Sequence, residues 1–154
     1  MSNPLVTINL AVLNGEKYIR HCLDAILAQS YPYEMMEFNI LDNGSTDNTP
    51  AVVQSIMAAF PDRRIRLISE MTPGLLAGRH RGYKETTAPV LVYVDDDIRA
   101  DPGWLAAIHS AFHDPDVHLV GGRNLPEYEV QPPSWLKSLQ CAGPEVGWFC
   151  PRRF

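Results

Sequence analysis

The chain has 154 residues, 45% of them hydrophobic and 20% charged, which suits one globular domain with a core of useful size. Its formal net charge of -5 argues against a general nucleic-acid binder, because phosphate contacts need clustered Lys and Arg. No apolar stretch approaches the ~20 residues that span a bilayer, and Met1-Ser2-Asn3-Pro4 lacks the basic region of an export signal.

The apolar, β-branched run from Leu5 to Val12 reads as a buried strand. A helical pattern opens at Gly15-Glu16 and places Tyr18, Ile19, Cys22, Leu23, Ile26 and Leu27 on one stripe, until Pro32 stops it. Met36 to Leu41 is a second strand. It runs into the turn-rich loop Asp42-Asn43-Gly44-Ser45-Thr46-Asp47. Thr46 or Asp47 can cap the next helix, which has Pro50 in its first turn. Val52, Val53, Ile56, Met57 and Phe60 should face inward, and Pro61 ends that helix. Ile65 to Ile68 is a short third strand, Pro73-Gly74 a turn, and Leu75 to Glu85 a helix carrying Arg79, His80, Arg81 and Lys84. Gly78 and Gly82, one turn apart, suggest close packing of this helix on a neighbour. Pro89 to Val94 is apolar throughout and is expected to be a central strand. It stops at Asp95-Asp96-Asp97. A helix from Asp101-Pro102 follows, with Trp104, Leu105, Ile108 and Phe112 on its apolar side. His118 to Gly122 reads as a fifth strand, and Ser134 to Leu139 as a short helix in an otherwise irregular, Pro-rich end. The alternation of strands and helices specifies an α/β fold with a mostly parallel sheet and helices on both faces.

The three cysteines are Cys22, Cys141 and Cys150. The odd number, with Cys22 inside a helical pattern, points to a reduced, cytoplasmic chain, and leaves peripheral contact with the inner face of a membrane open. No CxxC spacing or nearby His supports a bridge or metal role for Cys141 and Cys150.

Ligands bind beyond the carboxyl ends of strands in open parallel sheets. Polar groups stand at three such ends: Leu13-Asn14-Gly15, Asp42-Asn43-Gly44-Ser45 and Asp95-Asp96-Asp97. Three adjacent carboxylates repel one another, so something must offset their charge. Alternation along a strand puts Asp95 and Asp97 on one side, where two oxygen ligands suit Mg2+ or Mn2+ gripping phosphate oxygens. The competing reading is a solvated loop in which Asp97 or Asp101 caps the next helix. Asp42 or Asn43 could accept from a nucleotide base or ribose, with a plain turn and helix cap as the alternative, while Asp47 reads as structural. Arg79 could pair with a diphosphate, whereas His80 and Arg81 read as a solvated face. The absence of a P-loop, of a GxGxxG after the first strand and of a nucleophile elbow counts against kinases, dehydrogenases and hydrolases.

Four segments, in this order and spacing, resemble glycosyltransferase family 2, which has the GT-A fold. They are Val6 to Asn14; Cys22 to Pro32 with its Gln29-Ser30-Tyr31-Pro32; Leu41 to Thr49; and Gly74 to Gly82 followed by Val92 to Asp97. The resemblance implies a nucleoside diphosphate sugar as donor, a UDP-sugar by guess, and inverting transfer to the hydroxyl of a saccharide or lipid-linked acceptor. It implies that Asp42, with Asn43, contacts the base, and that Arg79 holds the base or diphosphate. Asp95, with Asp96 beside it, would meet the ribose or sugar; Asp97 would bind the cation, Asp95 sharing it. Asn14 matches the family's Asn after the first strand. Ala11-Val12-Leu13 stands where Pro-Thr-Tyr is usual, so Leu13 offers an apolar or backbone contact in place of a stacking aromatic. Residues 1–123 would form the donor-binding domain and 124–154 the irregular start of an acceptor-binding half that the chain lacks. No counterpart of the family's general base is evident. Glu127, Glu129 and Glu145 qualify only by residue type, so a donor-binding fragment without transfer is the alternative to an active enzyme. A nucleotidyltransferase would need a basic, Gly-rich loop after the first strand, which Val12-Leu13-Asn14-Gly15 does not supply. Apolar surface near Trp135, Trp148 and Phe149 is expected to be buried in a homodimer.

Overall fold

The computed structural model describes residues 6–136. By its internal contacts the chain divides into two units, Met1–Pro115 and Asp116–Phe154. The first holds all the regular sheet and helix structure that positions the candidate site. In chain order it comprises β1 (Val6–Val12), α1 (Ile19–Leu27), a 3-10 turn (Tyr33–Met35), β2 (Met36–Asp42) and α2 (Thr49–Ala59). There follow β3 (Arg64–Ser69), α3 (Leu75–Glu85), β4 (Val90–Val94) and α4 (Trp104–Ala111).

The four strands form one parallel sheet in the order β3-β2-β1-β4. Alternation sorts each strand's side chains between two faces. Ile8, Leu10 and Val12 of β1, Phe38 and Ile40 of β2, and Val90, Val92 and Val94 of β4 join one apolar core. The same core takes Ile19, Cys22, Leu23 and Ile26 of α1, Val53 and Ile56 of α2 and Leu105 of α4. The opposite face of β1 and β2 carries Asn9, Ala11 and Leu41, and α3 lies over it. A Cβ on Gly78 would stand 3.0 Å from that of Ala11, and one on Gly82 would stand 2.7 Å from Asn9 Nδ2. The two glycines thus let α3 sit close on the sheet, as their spacing suggested.

Buried polar groups under α3 are satisfied as a chain. Asn39 Nδ2 donates to Asn9 Oδ1 at 2.9 Å, Asn9 Nδ2 to Thr86 Oγ1 at 3.1 Å, and the Thr86 hydroxyl to the Gly82 carbonyl at 2.8 Å. Arg66 Nε donates to Asn39 Oδ1 at 3.0 Å while its guanidinium also reaches Glu85. Side-chain amides buried in a sheet would be costly without such partners.

Several expectations are corrected. β4 ends the strand order of the described residues and is not central. Its apolar composition reflects one fully covered face, since Val90, Val92 and Val94 are buried while Tyr93 on the other side is exposed. Residues 118–122 form no strand. A strand needs a neighbour for its N–H and C=O groups, and none of the described strands pairs with this stretch. Tyr18 precedes the first turn of α1 and Phe60 follows the last turn of α2, so both are exposed rather than inward. Of the helix expected at 134–139, residues 134–136 are helical and the rest lies outside the described residues, as do Glu145, Trp148, Phe149, Cys141 and Cys150.

Candidate active site

Register places the polar strand ends together. Val12 lies opposite Asp42, and Asp42 opposite Ser69; Leu10 lies opposite Val94 on the other flank. The tips of β1, β2 and β4 therefore share one edge. From β1 the chain steps outward to β2 and β3, then returns to β4 on β1's far side. That reversal puts the switch point between β1 and β4, the position at which doubly wound sheets form their ligand crevice. Leu13 and Asn14 stand on one side of it and residues 95–97 on the other.

The first two tips are bolted to each other by side chains. Asn14 has φ 55, a left-handed conformation that Asn tolerates better than most residues. In that pose its amide N–H donates to Ser45 Oγ at 2.9 Å, and its Oδ1 accepts from the Thr46 amide at 2.8 Å. One residue beyond Gly15 the pattern repeats. The Glu16 amide donates to Asp47 Oδ2 at 3.1 Å, and the Glu16 carboxylate accepts from the Asn48 amide at 3.1 Å and side chain at 2.8 Å. The N-cap of α2 is Asn48 rather than Thr46 or Asp47, and it makes no side-chain cap bond; Asp47, one residue earlier, takes the Thr49 amide with its Oδ1 at 2.9 Å. Asp42 Oδ1 accepts from the Ser45 amide at 3.1 Å and shapes the turn. Asn43 is committed to the frame. Its Nδ2 donates to the Glu70 and Thr72 carbonyls at 2.8 and 2.6 Å, and its Oδ1 accepts from the Gly74 amide at 2.8 Å. It thus ties the β2 tip to the start of α3, and the Oδ1 expected to accept from a base or ribose accepts here from the Gly74 amide.

The acidic triplet is a turn, not a continued strand. Exposure still alternates through it: Asp95 and Asp97 are exposed and Asp96 is half-buried. Asp96 turns toward the β1 tip, where a Cβ on Gly15 would stand 2.2 Å from its Oδ2. Gly15 is what makes room for it. Burial, then the charges of Asp97 and Asp95, push the Asp96 carboxyl above its usual range. Beneath the turn the Cys22 thiol approaches the Asp95 carbonyl at 3.4 Å, and burial followed by the Asp96 charge pushes it up to about 12. Cys22 is a buried free thiol, as its place in the helical pattern suggested.

Arg79, on α3, reaches across to β4. Its Nη2 lies 2.8 Å from Asp95 Oδ1, and the Tyr93 hydroxyl donates to the Arg79 carbonyl at 3.3 Å. Arg79 and Asp95, singled out separately in the sequence, are thus one exposed ion pair at the crevice. Arg81 instead pairs with Glu85 one turn along at 2.8 Å. Among the described residues no three His, Cys, Asp or Glu side chains group so that they could hold a metal ion between them. The exposed Asp95 and Asp97 carboxylates offer hard oxygen donors with an open outer side. That donor set fits Mg2+ or Mn2+ completing its shell with phosphate oxygens and water.

A second group of residues had not been singled out for this role. Gln29 and Ser30 bond to the Asp101 and Pro102 carbonyls and the Leu105 amide, just beyond the acidic turn. Glu16, Ser45 and Thr46 lock the first two tips. Ser45 and Thr46 stood in the turn-rich loop and Gln29-Ser30 in a segment of the family resemblance, but nothing in the sequence named their partners.

The family model for Glycosyl transferase family 2 matches residues 7–148. The chain belongs to glycosyl transferase family 2. A relative, Glycosyltransferase AglE of Haloferax volcanii, is 31% identical over 119 residues, covering 77% of this chain and 39% of that protein. Among solved structures, the mannosyltransferase PcManGT of Pyrobaculum calidifontis, in complex with GDP-Man and Mn2+, is similar with a TM-score of 0.68 at 23% identity. The match covers 91% of this chain and 39% of that one. TarS 1-349 of S. aureus in complex with UDP has a TM-score of 0.59 at 22% identity, over 79% of this chain and 38% of that one. The fold of this family 2 chain is accordingly GT-A, as the resemblance implied. The chain spans about two fifths of the length of these relatives. No helix among the described residues is long and apolar enough to cross a membrane.

Proposed function

We propose that this chain carries the donor side of a cytoplasmic glycosyltransferase. The donor is a nucleoside diphosphate sugar held with Mn2+ or Mg2+, and the sugar passes with inversion to a hydroxyl of a saccharide or lipid-linked acceptor. The observation that carries this reading is the convergence of the β1, β2 and β4 tips on one crevice, with Arg79 and Asp95 2.8 Å apart at its mouth. Solved relatives in complex with UDP, UDP-GlcNAc and GDP-Man support a nucleotide-sugar donor, and the one with Mn2+ supports a divalent cation.

The residues divide the task. The locked β1 and β2 tips present Leu13 and Asp42 to the nucleoside, with Asn14 and Asn43 holding them in place. Asp95 and Asp97 would hold the cation, whose charge, when bound, offsets that of the diphosphate as it departs. Arg79 pairs with Asp95 in the free protein and presents its remaining N–H groups toward the phosphates. Asp96, turned under Gly15, shapes the turn from within. A homodimer belongs to the same proposal, because β4 has no pairing partner on its outer side among the described residues. A monomer by light scattering at working concentration argues against that part.

The deciding experiment titrates UDP with Mn2+ into the protein and into Asp97→Ala. Wild type should bind with metal-dependent affinity. Asp97→Ala should bind at least ~10-fold more weakly, the equivalent of one lost charged contact. Equal binding by both would remove the cation-site assignment, and release of UDP from a UDP-sugar by wild type would separate turnover from holding.

A further inference from the structure

We propose that Gln29 is a positioning residue that fixes the acidic turn from behind, a role that rests on reading that turn as the cation and diphosphate site. Gln29 lies just past α1 and is only 8% exposed. Its side-chain amide joins two distant segments. Nε2 donates to the Asp101 carbonyl at 2.6 Å and to the Ala25 carbonyl at 3.3 Å. Oε1 accepts from the Leu105 amide at 3.0 Å. Leu105 is the second residue of α4, whose own N-cap, Gly103, has no side chain to offer. Gln29 therefore supplies the missing cap from 76 residues away. Beside it the Ser30 amide and hydroxyl both donate to the Pro102 carbonyl, each at 2.9 Å.

The turn is thus anchored at two points. In front, Val94 is held in the ladder opposite Leu10. Behind, Gln29 and Ser30 hold Asp101 and Pro102. Between these anchors the Ile98 amide reaches the Asp95 carbonyl at 3.4 Å, the Cys22 thiol meets the same carbonyl at 3.4 Å, and the Arg79–Asp95 pair at 2.8 Å holds the Asp95 side chain at an exposed site. A long N–H···O bond, a weak thiol donor and an exposed ion pair restrain little. The rear anchor is buried and made of a planar amide with both ends engaged. Asp95 and Asp97 repel each other, and a cation site works only if its carboxylates are held near their final positions beforehand. Gln29 supplies that restraint without reaching the crevice.

Gln29→Glu separates this role from mere capping. A glutamate keeps an oxygen for the Leu105 amide but cannot donate to Asp101. The fold should persist, with exchange of the Ile98 and Trp104 amides accelerated about tenfold relative to wild type and the β1 and β2 ladder amides unchanged. Mn2+-dependent UDP affinity should fall about tenfold, the lower end of what loss of a ligand-orienting partner costs, while metal-free UDP binding stays as in wild type. Should the buried charge prevent folding, Gln29→Met, which removes all three side-chain bonds without adding charge, is judged by the same two readouts. Wild-type Mn2+ dependence in the variant, or unaltered exchange at Ile98 and Trp104, overturns the positioning role. A wild-type protein that binds no UDP with Mn2+ instead overturns the donor-site reading, and the positioning role with it. The exchange data then report Gln29 as a cap alone.

Discussion

Gly82→Ala tests whether close approach of α3 to the sheet organises this site. In an exposed helix the change would stabilise by ~1 kcal/mol, because alanine loses less entropy than glycine. Here the new Cβ would lie 2.7 Å from Asn9 Nδ2, 2.8 Å from Asn9 Cγ and 3.1 Å from Leu41 Cδ2. Asn9 is almost fully buried and bonded to both Asn39 and Thr86, so it has nowhere to retreat. Overpacking of this kind costs ~1–3 kcal/mol. Displacing Asn9 from a partner adds ~1–3 kcal/mol for the unsatisfied group. The balance is a loss of about 1–5 kcal/mol, at roughly 2–4 °C of Tm per kcal/mol for a domain of this size. Gly78→Ala is the control, since its Cβ meets only the Ala11 Cβ at 3.0 Å and the Leu41 Cβ at 3.9 Å. There the helix gain of ~1 kcal/mol roughly cancels a small shift. Urea unfolding of both variants, with unchanged slopes confirming a comparable transition, measures the difference. A Gly82→Ala midpoint at or above that of wild type would refute the reasoning.

Arg79→Ala should do the reverse, harming binding and sparing stability. The Arg79 and Asp95 side chains are 37% and 51% exposed, and such pairs contribute only ~0–1 kcal/mol. Loss of a charged contact to the diphosphate should weaken UDP binding ~10–100-fold by calorimetry, and a Tm drop with unaltered binding would reverse the assignment. Cys22, 1% exposed and with its thiol pushed up to about 12 by burial, should resist iodoacetamide at pH 8 until the protein is denatured. Peptide mapping that finds Cys22 alkylated in native protein contradicts this. The Asp47 carboxyl is held below its usual range first by the Thr49 hydroxyl. Its folded-state value is therefore depressed, so the contribution is full above the unfolded value of ~3.9 and lost as pH falls through the folded one. Asp47→Asn should lose less Tm than wild type between pH 5 and pH 2, and parallel acid curves would show that Asp47 is not coupled to folding.

Local patterns were legible and long-range partnerships were not. The helix expected at Leu75–Glu85 is observed with the same bounds, because periodicity, the preceding Pro73-Gly74 turn and the following Thr86-Thr87 are all local. The Asp42 to Asp47 loop was likewise written in turn chemistry, although the N-cap of α2 falls on Asn48, one residue past the expected Thr46 or Asp47. By contrast, the expected place of β4 in the sheet was wrong, since apolarity reports burial and not strand order. The bonds of Gln29 to Asp101 and of Asn43 to Thr72 could not be read from spacing, because their partners lie 72 and 29 residues away. Asn43 shows the cost most plainly. The same polar side chain at a strand tip is equally suited to bonding a base or bracing a loop, and its bracing bond is visible only once the Gly74 amide is placed beside it.

The acidic triplet shows how a repeated residue can acquire unlike roles. One turn carries Asp95, Asp96 and Asp97 within reach of one another, so their charges cannot all be accommodated in the same way. Arg79 offsets the first at 2.8 Å. Half-burial under Gly15, then the charges of Asp97 and Asp95, hold the carboxyl of the second above its usual range. Asp97 is exposed at the turn. Among the described residues it has no cationic partner of the kind that Asp95 finds in Arg79, and the pKa of its neighbour Asp96 is raised partly by its charge. A divalent cation at Asp97 would relieve that repulsion and free Arg79 to turn from Asp95 toward an incoming diphosphate. Cation and donor should therefore bind with mutual reinforcement: Mn2+ affinity ought to rise in the presence of UDP by the same factor as UDP affinity rises in the presence of Mn2+. In Arg79→Ala that coupling factor should shrink, because the anion-binding partner released by the cation is gone. Coupling of wild-type strength in the variant would place the source of any cooperativity elsewhere than the Arg79–Asp95 pair.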